Sequence, residues 1–361
     1  MASSSHSTPR RSEAKTVQWL LIIVIIAIAA TAFNANSQEG YTQNGYLYIG
    51  NGDHLGKYRL DGSIVNASLV SGVGAQGLAI SGTNIYVSNS DSDLIGKYST
   101  SGKTINASLI TKTAFYFGVA VAGTNLFVEN FDGYTVSEYS TSGTPINTNY
   151  YPPLGQPATL AISGTNLFVA NQGGAPNTGT IGEYTMSGAT VNAALIKGPS
   201  FTYGIAVADT NLFVSSFAKN TVAEYTTSGA TNNASFLSGL NGPTGLAILG
   251  TNLFVCSGGP PFGSVGEYTI SGQTINPALI VGPPAFGIAI TLVPQLYVEP
   301  AVANQTLLFY PTGATNWVLQ ASTNSQSASP TWVTVTNGTP MTCIIVTNNA
   351  PAGFFQLAPT Q

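Results

Sequence analysis

The chain has 361 residues, of which 10 are basic and 14 acidic, and its formal net charge is −4. Only 7% of the residues are charged, whereas 43% are hydrophobic. With so few cations the chain offers no basic surface for a nucleic acid or an anionic membrane, so neither partner is expected. Lys and Glu are scarce, Thr, Ser, Asn and Val are abundant, and there are 40 glycines and 20 prolines. This composition argues against long helices and predicts an all-β protein.

The N-terminus has the features of an export signal. Arg10, Arg11 and Lys15 precede an apolar run that ends at Ala30, where Ala-Thr-Ala supplies a small-x-small cleavage motif. We expect a signal peptide over residues 1–32, a linker over 33–44, and a location in the periplasm, outside the cell or on its surface. The alternative is an uncleaved anchor, but an apolar run of about 15 residues is short of the roughly 20 that a spanning helix needs. No membrane span is therefore expected after cleavage.

A repeated unit follows, and it opens with the motif G-x-A-x, in which threonine replaces the glycine in one unit. The motif starts are spaced by 41, 41, 45, 41 and 42 residues and fall at Gly77, Gly118, Thr159, Gly204, Gly245 and Gly287. A second mark, Lys-Tyr or Glu-Tyr, also occurs once per unit, at Lys57, Lys97, Glu138, Glu183, Glu224 and Glu267. This period is typical of a propeller blade. The two counts predict a six-bladed β-propeller over residues 45–291.

Each unit contains four short strands, here called a, b, c and d, bounded by turn residues. Strands a and b hardly alternate in polarity, which predicts that they lie nearest the axis, with c and d further out. The first unit begins with strand b at residues 46–49, and the last unit ends with an additional strand a at residues 287–290. We therefore predict that residues 287–290 complete the blade formed by 46–50, 55–59 and 63–70, which closes the ring by exchange.

The sequence of the repeat resembles that of a known group of propellers. Its G-I-A-V strand, its N-L-F-V-A-N strand and its Ser-Gly turn are similar to those of NHL-repeat propellers, in particular virginiamycin B lyase-like proteins, over about residues 45–290. Virginiamycin lyases have seven blades and use a histidine to abstract a proton. Only His6, in the signal, and His54 are present here. The resemblance thus implies the fold, and lyase activity is not expected.

Comparison of the units predicts where a ligand would bind. The a–b and c–d turns are nearly identical in all units and emerge at one end, here called the turn end. The b–c and d–a loops differ from unit to unit and emerge at the opposite end, here called the mouth end. A rigid ring that carries variable loops at one mouth is how a propeller presents a binding site.

Glu129 is the first candidate residue at the mouth end, because it replaces the Ser, Ala or Cys found at equivalent positions of other units. A lone carboxylate at the end of an inner strand is costly, so it should have a partner. It could face a ligand or metal, or bond to neighbouring backbone or water. A row of amides at Asn51, Asn89, Asn130 and Asn171 could bind a ligand or only close Asx-turns.

Aromatic residues also gather near the mouth, where rings could stack on sugars or flat ligands, or merely cover the blade ends. They are Phe115, Tyr116, Phe117, Tyr134, Tyr150, Tyr151, Phe201, Tyr203, Phe262 and Phe286. The predicted ligand-binding set comprises Asn89, Asp91, Phe117, Glu129, Asn130, Asp132, Tyr134, Asn171, Tyr203 and Phe286. No cofactor is expected other than a divalent cation, for which Glu129, Asn171 and Asn89 are the candidate ligands.

Two repeated features are predicted to be structural. The glutamate of strand c should accept hydrogen bonds from a neighbouring blade, with the adjacent tyrosine as packing. The Asn-Ala-Ser triplets at Asn66, Asn106 and Asn233 match a glycosylation acceptor, but they recur because strand d recurs.

A second domain is predicted over residues 292–361. Its short β-rich runs, separated by Gly, Pro, Asn and Ser, resemble a truncated fibronectin type III sandwich, with Trp317 and Trp332 in its core. The two cysteines, Cys256 and Cys343, fall in different domains, so no disulfide framework is implied.

No motif for a known chemistry is present in the sequence. The first hypothesis is an exported, monomeric, non-catalytic scaffold that binds a small molecule, glycan or protein at the mouth. The second is a metal-assisted hydrolase or lactonase resembling six-bladed gluconolactonase-like propellers. The third is a structural or adhesive cell-surface protein.

Overall fold

The computed structural model describes residues 45–111, 118–148, 154–172, 178–199, 201–259 and 262–292, and the backbone of six strands between residues 297 and 359. The predicted signal peptide, its cleavage motif and the linker to residue 44 lie outside the described residues. Within the described part, no helix is long and apolar enough to cross a membrane.

The first 24 strands form six four-stranded antiparallel sheets, which are the blades. Blade 1 contains β1 (Gly45–Asn51), β2 (His54–Arg59), β3 (Ile64–Ser71) and, from the end of the repeat, β24 (Ala285–Leu292). Blade 2 contains β4 (Ala75–Ser81), β5 (Asn84–Asn89), β6 (Leu94–Ser99) and β7 (Thr104–Thr111). Blade 3 contains β8 (Val119–Ala122), β9 (Asn125–Asn130), β10 (Thr135–Ser140) and β11 (Pro145–Asn147).

The other three blades repeat this order. Blade 4 contains β12 (Pro157–Ser163), β13 (Asn166–Asn171), β14 (Thr180–Thr185) and β15 (Thr190–Lys197). Blade 5 contains β16 (Ile205–Ala208), β17 (Asn211–Ser216), β18 (Thr221–Thr226) and β19 (Thr231–Leu237). Blade 6 contains β20 (Pro243–Leu249), β21 (Asn252–Ser257), β22 (Gly263–Thr269) and β23 (Thr274–Gly282).

The predicted closure by exchange is confirmed. Strand β24 pairs antiparallel with β1, so that Ile290 lies opposite Leu47 and Ile288 opposite Ile49. The six a strands contact one another in the ring order β24, β4, β8, β12, β16, β20 and back to β24. The all-β, six-bladed fold predicted from the repeat is therefore the observed one.

The core lies between blades and not within any one of them. Leu47, Leu126 and Leu253 of the b strands are completely buried. One cluster joins Phe127 of blade 3 to Leu167 of blade 4, and similar clusters form at the other blade boundaries. Both faces of a and b are thus covered, which explains why their sequences do not alternate.

Strand d forms the outer edge of each blade and is bulged at its asparagine. Asn66 Oδ1 accepts a hydrogen bond from the backbone N–H of Ser68 at 3.0 Å, and the ladder between strands c and d shifts register there. Asn106 and Asn233 likewise accept a hydrogen bond from the backbone N–H of the residue two positions further along the chain. A bulge of this kind protects an exposed edge from pairing with another chain. The Asn-Ala-Ser triplets therefore have a structural role.

The predicted partner of the strand c glutamate is wrong. Glu138 Oε1 accepts a hydrogen bond at 2.7 Å from Asn125 Nδ2 of the same blade. The two residues are diagonal neighbours on one face of paired strands, so the amide reaches the carboxylate without leaving the blade. Glu183, Glu224 and Glu267 make the same bond.

The contact with a neighbouring blade is made instead where lysine replaces this glutamate. Lys57 Nζ donates to the Thr100 carbonyl of blade 2 at 3.1 Å, and Lys97 Nζ donates to the Thr141 carbonyl of blade 3 at 3.2 Å. The residue of strand b opposite each lysine is Tyr48 or Tyr86, whereas in the blades with glutamate it is phenylalanine. The Tyr48 hydroxyl donates to the same Thr100 carbonyl as Lys57, and the Tyr86 hydroxyl donates to the same Thr141 carbonyl as Lys97.

The C-terminal segment, predicted to contain short β-rich runs, has six further strands. They are β25 (Tyr297–Pro300), β26 (Gln305–Phe309), β27 (Trp317–Ser322), β28 (Val333–Thr334), β29 (Cys343–Thr347) and β30 (Phe354–Pro359). They form two three-stranded sheets, with orders β25-β26-β29 and β28-β27-β30. The side chains here are outside the described part, so the predicted packing of Trp317 and Trp332 stays a prediction.

Candidate binding site at the mouth of the propeller

A cavity of about 270 Å³ lies at the mouth end, where the six a strands begin around the axis. Most of its lining comes from the start of each repeat: the motif residue and the residues directly before and after it. Before the motif these residues are Gln76, Ala158, Tyr203, Thr244 and Phe286. The lining among the described residues contains no charged side chain.

The motif glycines allow the ring to be this narrow. A Cβ on Gly287 would overlap the carbonyl oxygen of Gln76 in the next blade. Gly245 and Gly204 stand in the same relation to the carbonyls of Phe286 and Thr244. Glycine is required here because the backbones of adjacent blades meet directly. The main chain of these glycines thus forms part of the cavity wall.

Glu129 lies behind this wall and does not line the cavity. Its side chain is completely buried, and its Oε2 accepts a hydrogen bond from the Gly118 N–H at 2.9 Å. Gly118 is the lining residue, and any Cβ there would clash with the carboxyl group. The second oxygen, Oε1, is buried and has no hydrogen-bond partner among the residues that the structure describes.

Burial raises the pKa of Glu129 well above its usual value, and the Gly118 hydrogen bond opposes this only in part. The native fold therefore favours the neutral carboxylic acid. The sequence left two alternatives for Glu129, a ligand or metal on one hand and neighbouring backbone or water on the other. Oε2 bonds to neighbouring backbone, whereas Oε1 has no partner among the described residues.

Three of the four mouth amides close turns. Asn51 Oδ1 accepts the N–H groups of Asp53 and His54 at 3.0 and 2.9 Å. Asn89 Oδ1 accepts from Asp91 and Gly74 at 3.1 and 3.0 Å.

Asn130 Oδ1 accepts the N–H of Gly133 at 2.6 Å, so it too closes a turn. Asn171 differs from the other three amides. Its Nδ2 donates to Thr180 Oγ1 at 3.2 Å, but its buried Oδ1 has no partner within the described ranges, which omit the adjacent residues 173–177. Among the amides, Asn171 is therefore the one that keeps a buried acceptor for a ligand or a water.

The predicted set is only partly brought together at the cavity. Tyr203 and Phe286 line it, whereas Asn89, Asp91, Glu129, Asn130, Asp132, Tyr134 and Asn171 do not. Tyr134 is 44% exposed, and Phe262, another predicted aromatic, is 70% exposed outside the cavity. Phe117, like Phe115, Tyr116, Tyr150 and Tyr151, lies outside the described residues.

Sequence reasoning missed Phe217 and left Gln76 and Thr244 out of the site. Phe217 packs edge-to-face on Tyr203 with ring centroids 5.8 Å apart, and so extends the aromatic side of the cavity. The repeat contained the signal for the other two, because they precede the motif as Tyr203 and Phe286 do. The position within the repeat was more informative than the residue type.

In the described part of the chain, the buried polar atoms that lack a partner are concentrated at the same end. They belong to Asp93, Glu129, Asn171, Gln172 and Thr202, all in b–c or d–a segments or at the strand ends next to them. Buried polar groups are nearly always hydrogen-bonded, and exceptions often mark functional positions or bound water. By this criterion the mouth end differs from the turn end.

The candidate cation site has little in its favour in this geometry. Within the described part of the chain, no cluster of three or more His, Cys, Asp or Glu side chains could hold a metal ion. Of the three predicted ligands, Asn89 already accepts two backbone N–H groups and Glu129 one. A cation on Glu129, Asn171 and Asn89 stays a prediction.

Comparison with known proteins identifies the fold. No family model matches the sequence, and no curated protein is similar enough to it to be detected. Solved propellers do match in structure. One, from a nidogen–laminin complex, has a TM-score of 0.59 at 14% identity, covering 68% of this chain and 98% of that one.

A gluconolactonase from Xanthomonas campestris has a TM-score of 0.50 at 13% identity, covering 66% of this chain and 83% of that one. Virginiamycin B lyase from Staphylococcus aureus has a TM-score of 0.46 at 16% identity, covering 71% of this chain and 84% of that one. At such identities the likeness shows the propeller fold alone.

Proposed function

We propose that the protein is an exported, non-catalytic binding propeller that takes a small uncharged ligand into the mouth cavity. The observation that carries this proposal is the cavity itself: it lies at the variable end and has no charged side chain in its described lining. Its volume of about 270 Å³ is near the lower limit for ligand pockets, which favours a small molecule or the terminal unit of a larger one.

Buried polar atoms without a partner among the described residues also occur at this end of the ring. None of the five residues that carry them lines the cavity, so they support the choice of the mouth end and not of the cavity itself. The NHL-type repeat, the fibronectin-like C-terminal domain and export remain part of the proposal. They rest on the sequence patterns described above.

The test is a thermal-shift and calorimetric screen of the full chain against neutral sugars, lactones, small aromatic amides, their charged analogues and divalent cations. A ligand should raise the melting temperature of the wild type. Phe286→Ala should weaken its binding at least about tenfold because the lost ring lines the cavity. Phe262→Ala is the matched control, since Phe262 is exposed at the same end but outside the cavity.

A wild type that nothing in the panel stabilises would contradict this function and favour the structural or adhesive role. Stabilisation by a divalent cation that Glu129→Gln abolishes would favour the metal-assisted hydrolase instead.

A further inference from the structure

The ring order of the blades shows which cavity residues face each other. In a ring of six, blade 2 lies opposite blade 5 and blade 1 lies opposite blade 4. In five of the six blades the residue before the motif lines the cavity, and in blade 3 that residue, Phe117, lies outside the described residues. Gln76 of blade 2 is therefore across the mouth from Tyr203 of blade 5, and Phe286 of blade 1 is across from Ala158 of blade 4.

These two pairs differ in chemistry. Gln76 and Tyr203 both carry hydrogen-bonding groups, so two opposite edges of the cavity are polar. Gln76 Nε2 donates to Ser90 Oγ at 3.1 Å, which fixes the amide and leaves its Oε1 as an acceptor for a ligand. The Tyr203 hydroxyl can both donate and accept, and its ring is supported by Phe217.

The second pair places a large flat side chain opposite a small one. Phe286 contributes an aromatic side chain to the lining, and Ala158, across from it, contributes only a methyl group. Thr244, beside Phe286 in the ring, donates to the Ala285 carbonyl at 2.7 Å, which holds the backbone next to Phe286 in place. The lining thus pairs a large apolar with a small apolar residue along one direction across the cavity, and two polar residues along another.

We infer that the occupant is an uncharged six-membered ring with hydrogen-bonding groups on two opposite edges, stacked on Phe286 and held at its edges by Gln76 and Tyr203. This inference rests on the proposed binding function and names its ligand class. A pyranose sugar and a flat aromatic ring share this chemistry. A charged ring would be disfavoured by the described lining, which contains no charged side chain to compensate its desolvation.

Paired probes test the ligand class on the wild-type chain, without any mutation. Methyl β-glucopyranoside is compared with its uronate, and 4-hydroxybenzamide with 4-hydroxybenzoate and with benzamide. We expect a neutral, two-edged ring to bind at least about tenfold more tightly than its charged or one-edged partner. Comparison of the affinities of the sugar and the aromatic probes shows which kind of ring the cavity prefers.

Variants then test the geometry with the probe that binds. Gln76→Leu and Tyr203→Phe should each weaken binding about tenfold, because each removes one hydrogen bond to the ring. Tyr134→Phe is the control, since Tyr134 is exposed at the same end and does not line the cavity. A melting curve of each variant checks that it folds.

The inference is overturned if charged rings bind as tightly as neutral ones, or if the two polar variants bind normally. If Phe286→Ala nevertheless weakens the binding of a ligand, the proposed binding function is retained. If no probe and no other ligand in the panel binds, the binding function fails as well.

Discussion

The two ends of the propeller hold their turns in different ways. At the turn end, ten glycines adopt positive φ and Asp209 is the one other residue that does so among those described. At the mouth end four glycines do so, together with Asp93, Tyr134, Gln156, Phe201 and Asn220. Left-handed backbone is costly for residues with a Cβ, so the mouth end keeps strain that the turn end avoids.

Hydrogen bonding shows the same contrast. At the turn end the polar groups are paired within the repeat, as between Asn125 and Glu138 or between Ser99 and Ser101. At the mouth end, five side chains keep a buried atom that has no partner in the described part of the chain. The described residues of the turn end thus satisfy one another, whereas those of the mouth end leave polar atoms that a bound molecule or water could satisfy.

The largest expected effect separates glycines of the two ends. Gly287→Ala should destabilise the fold by about 3 kcal/mol, because the new Cβ would press on the backbone of the next blade. Gly164→Ala should cost only about 1 kcal/mol, because its φ is +57° but nothing lies within 4 Å of the new Cβ. Denaturant melts of both variants measure the difference, and equal losses would contradict the close packing of the mouth ring.

The next largest effect on stability is expected from a substitution of Glu129, and it depends on pH. Since burial raises the folded-state pKa of Glu129, the native state keeps a proton that the unfolded chain releases above its ordinary value of about 4.3. The stability of the wild type should therefore fall as pH rises through the folded-state pKa. Glu129→Gln, which cannot ionise, should lack this loss and exceed the wild type by more than about 1 kcal/mol at alkaline pH.

Melting temperatures of both proteins between about pH 4 and pH 9 provide the measurement. Parallel curves would mean that the carboxylate is ionised and compensated in the native state. That result would favour a cation at Glu129.

The smallest effect compares two buried threonines. Thr202 is 1% exposed and its hydroxyl has no partner, whereas Thr244 is 2% exposed and donates to Ala285. Thr202→Val should be neutral or stabilise by up to about 1 kcal/mol, while Thr244→Val should cost about 1 kcal/mol. If Thr202→Val destabilised the free protein as much as Thr244→Val, Thr202 would already be bonded, for example to a buried water.

The fold could be predicted because it repeats. Six copies of G-x-A-x gave the number of blades, and the unpaired strands at residues 46–49 and 287–290 gave the closure. The order of strands from the axis followed from the polarity of a single unit. Closely spaced repeats determine local pairing, so little long-range information was needed.

The site could be predicted only in part, because it depends on where single side chains point. The end that carries it was predictable from loop variation, and so were Tyr203 and Phe286. Glu129 was identified as unusual, but the sequence could not show that its carboxyl group turns toward Gly118 and away from the cavity. The glutamates of strand c were assigned the wrong partner because a diagonal contact within a blade and a contact between blades have the same sequence period.

The pairing of Gly45 with Leu292 has a consequence for how the molecule is made. The first blade to leave the ribosome is the last to be completed, because its innermost strand is the final strand of the ring. Until that strand has been synthesised, β1 presents a bare edge, and the ring can neither close nor acquire its full stability. Completion also brings both ends of the ring side by side, so that the incoming and outgoing chain meet at one point of the turn end, on the two innermost strands of blade 1.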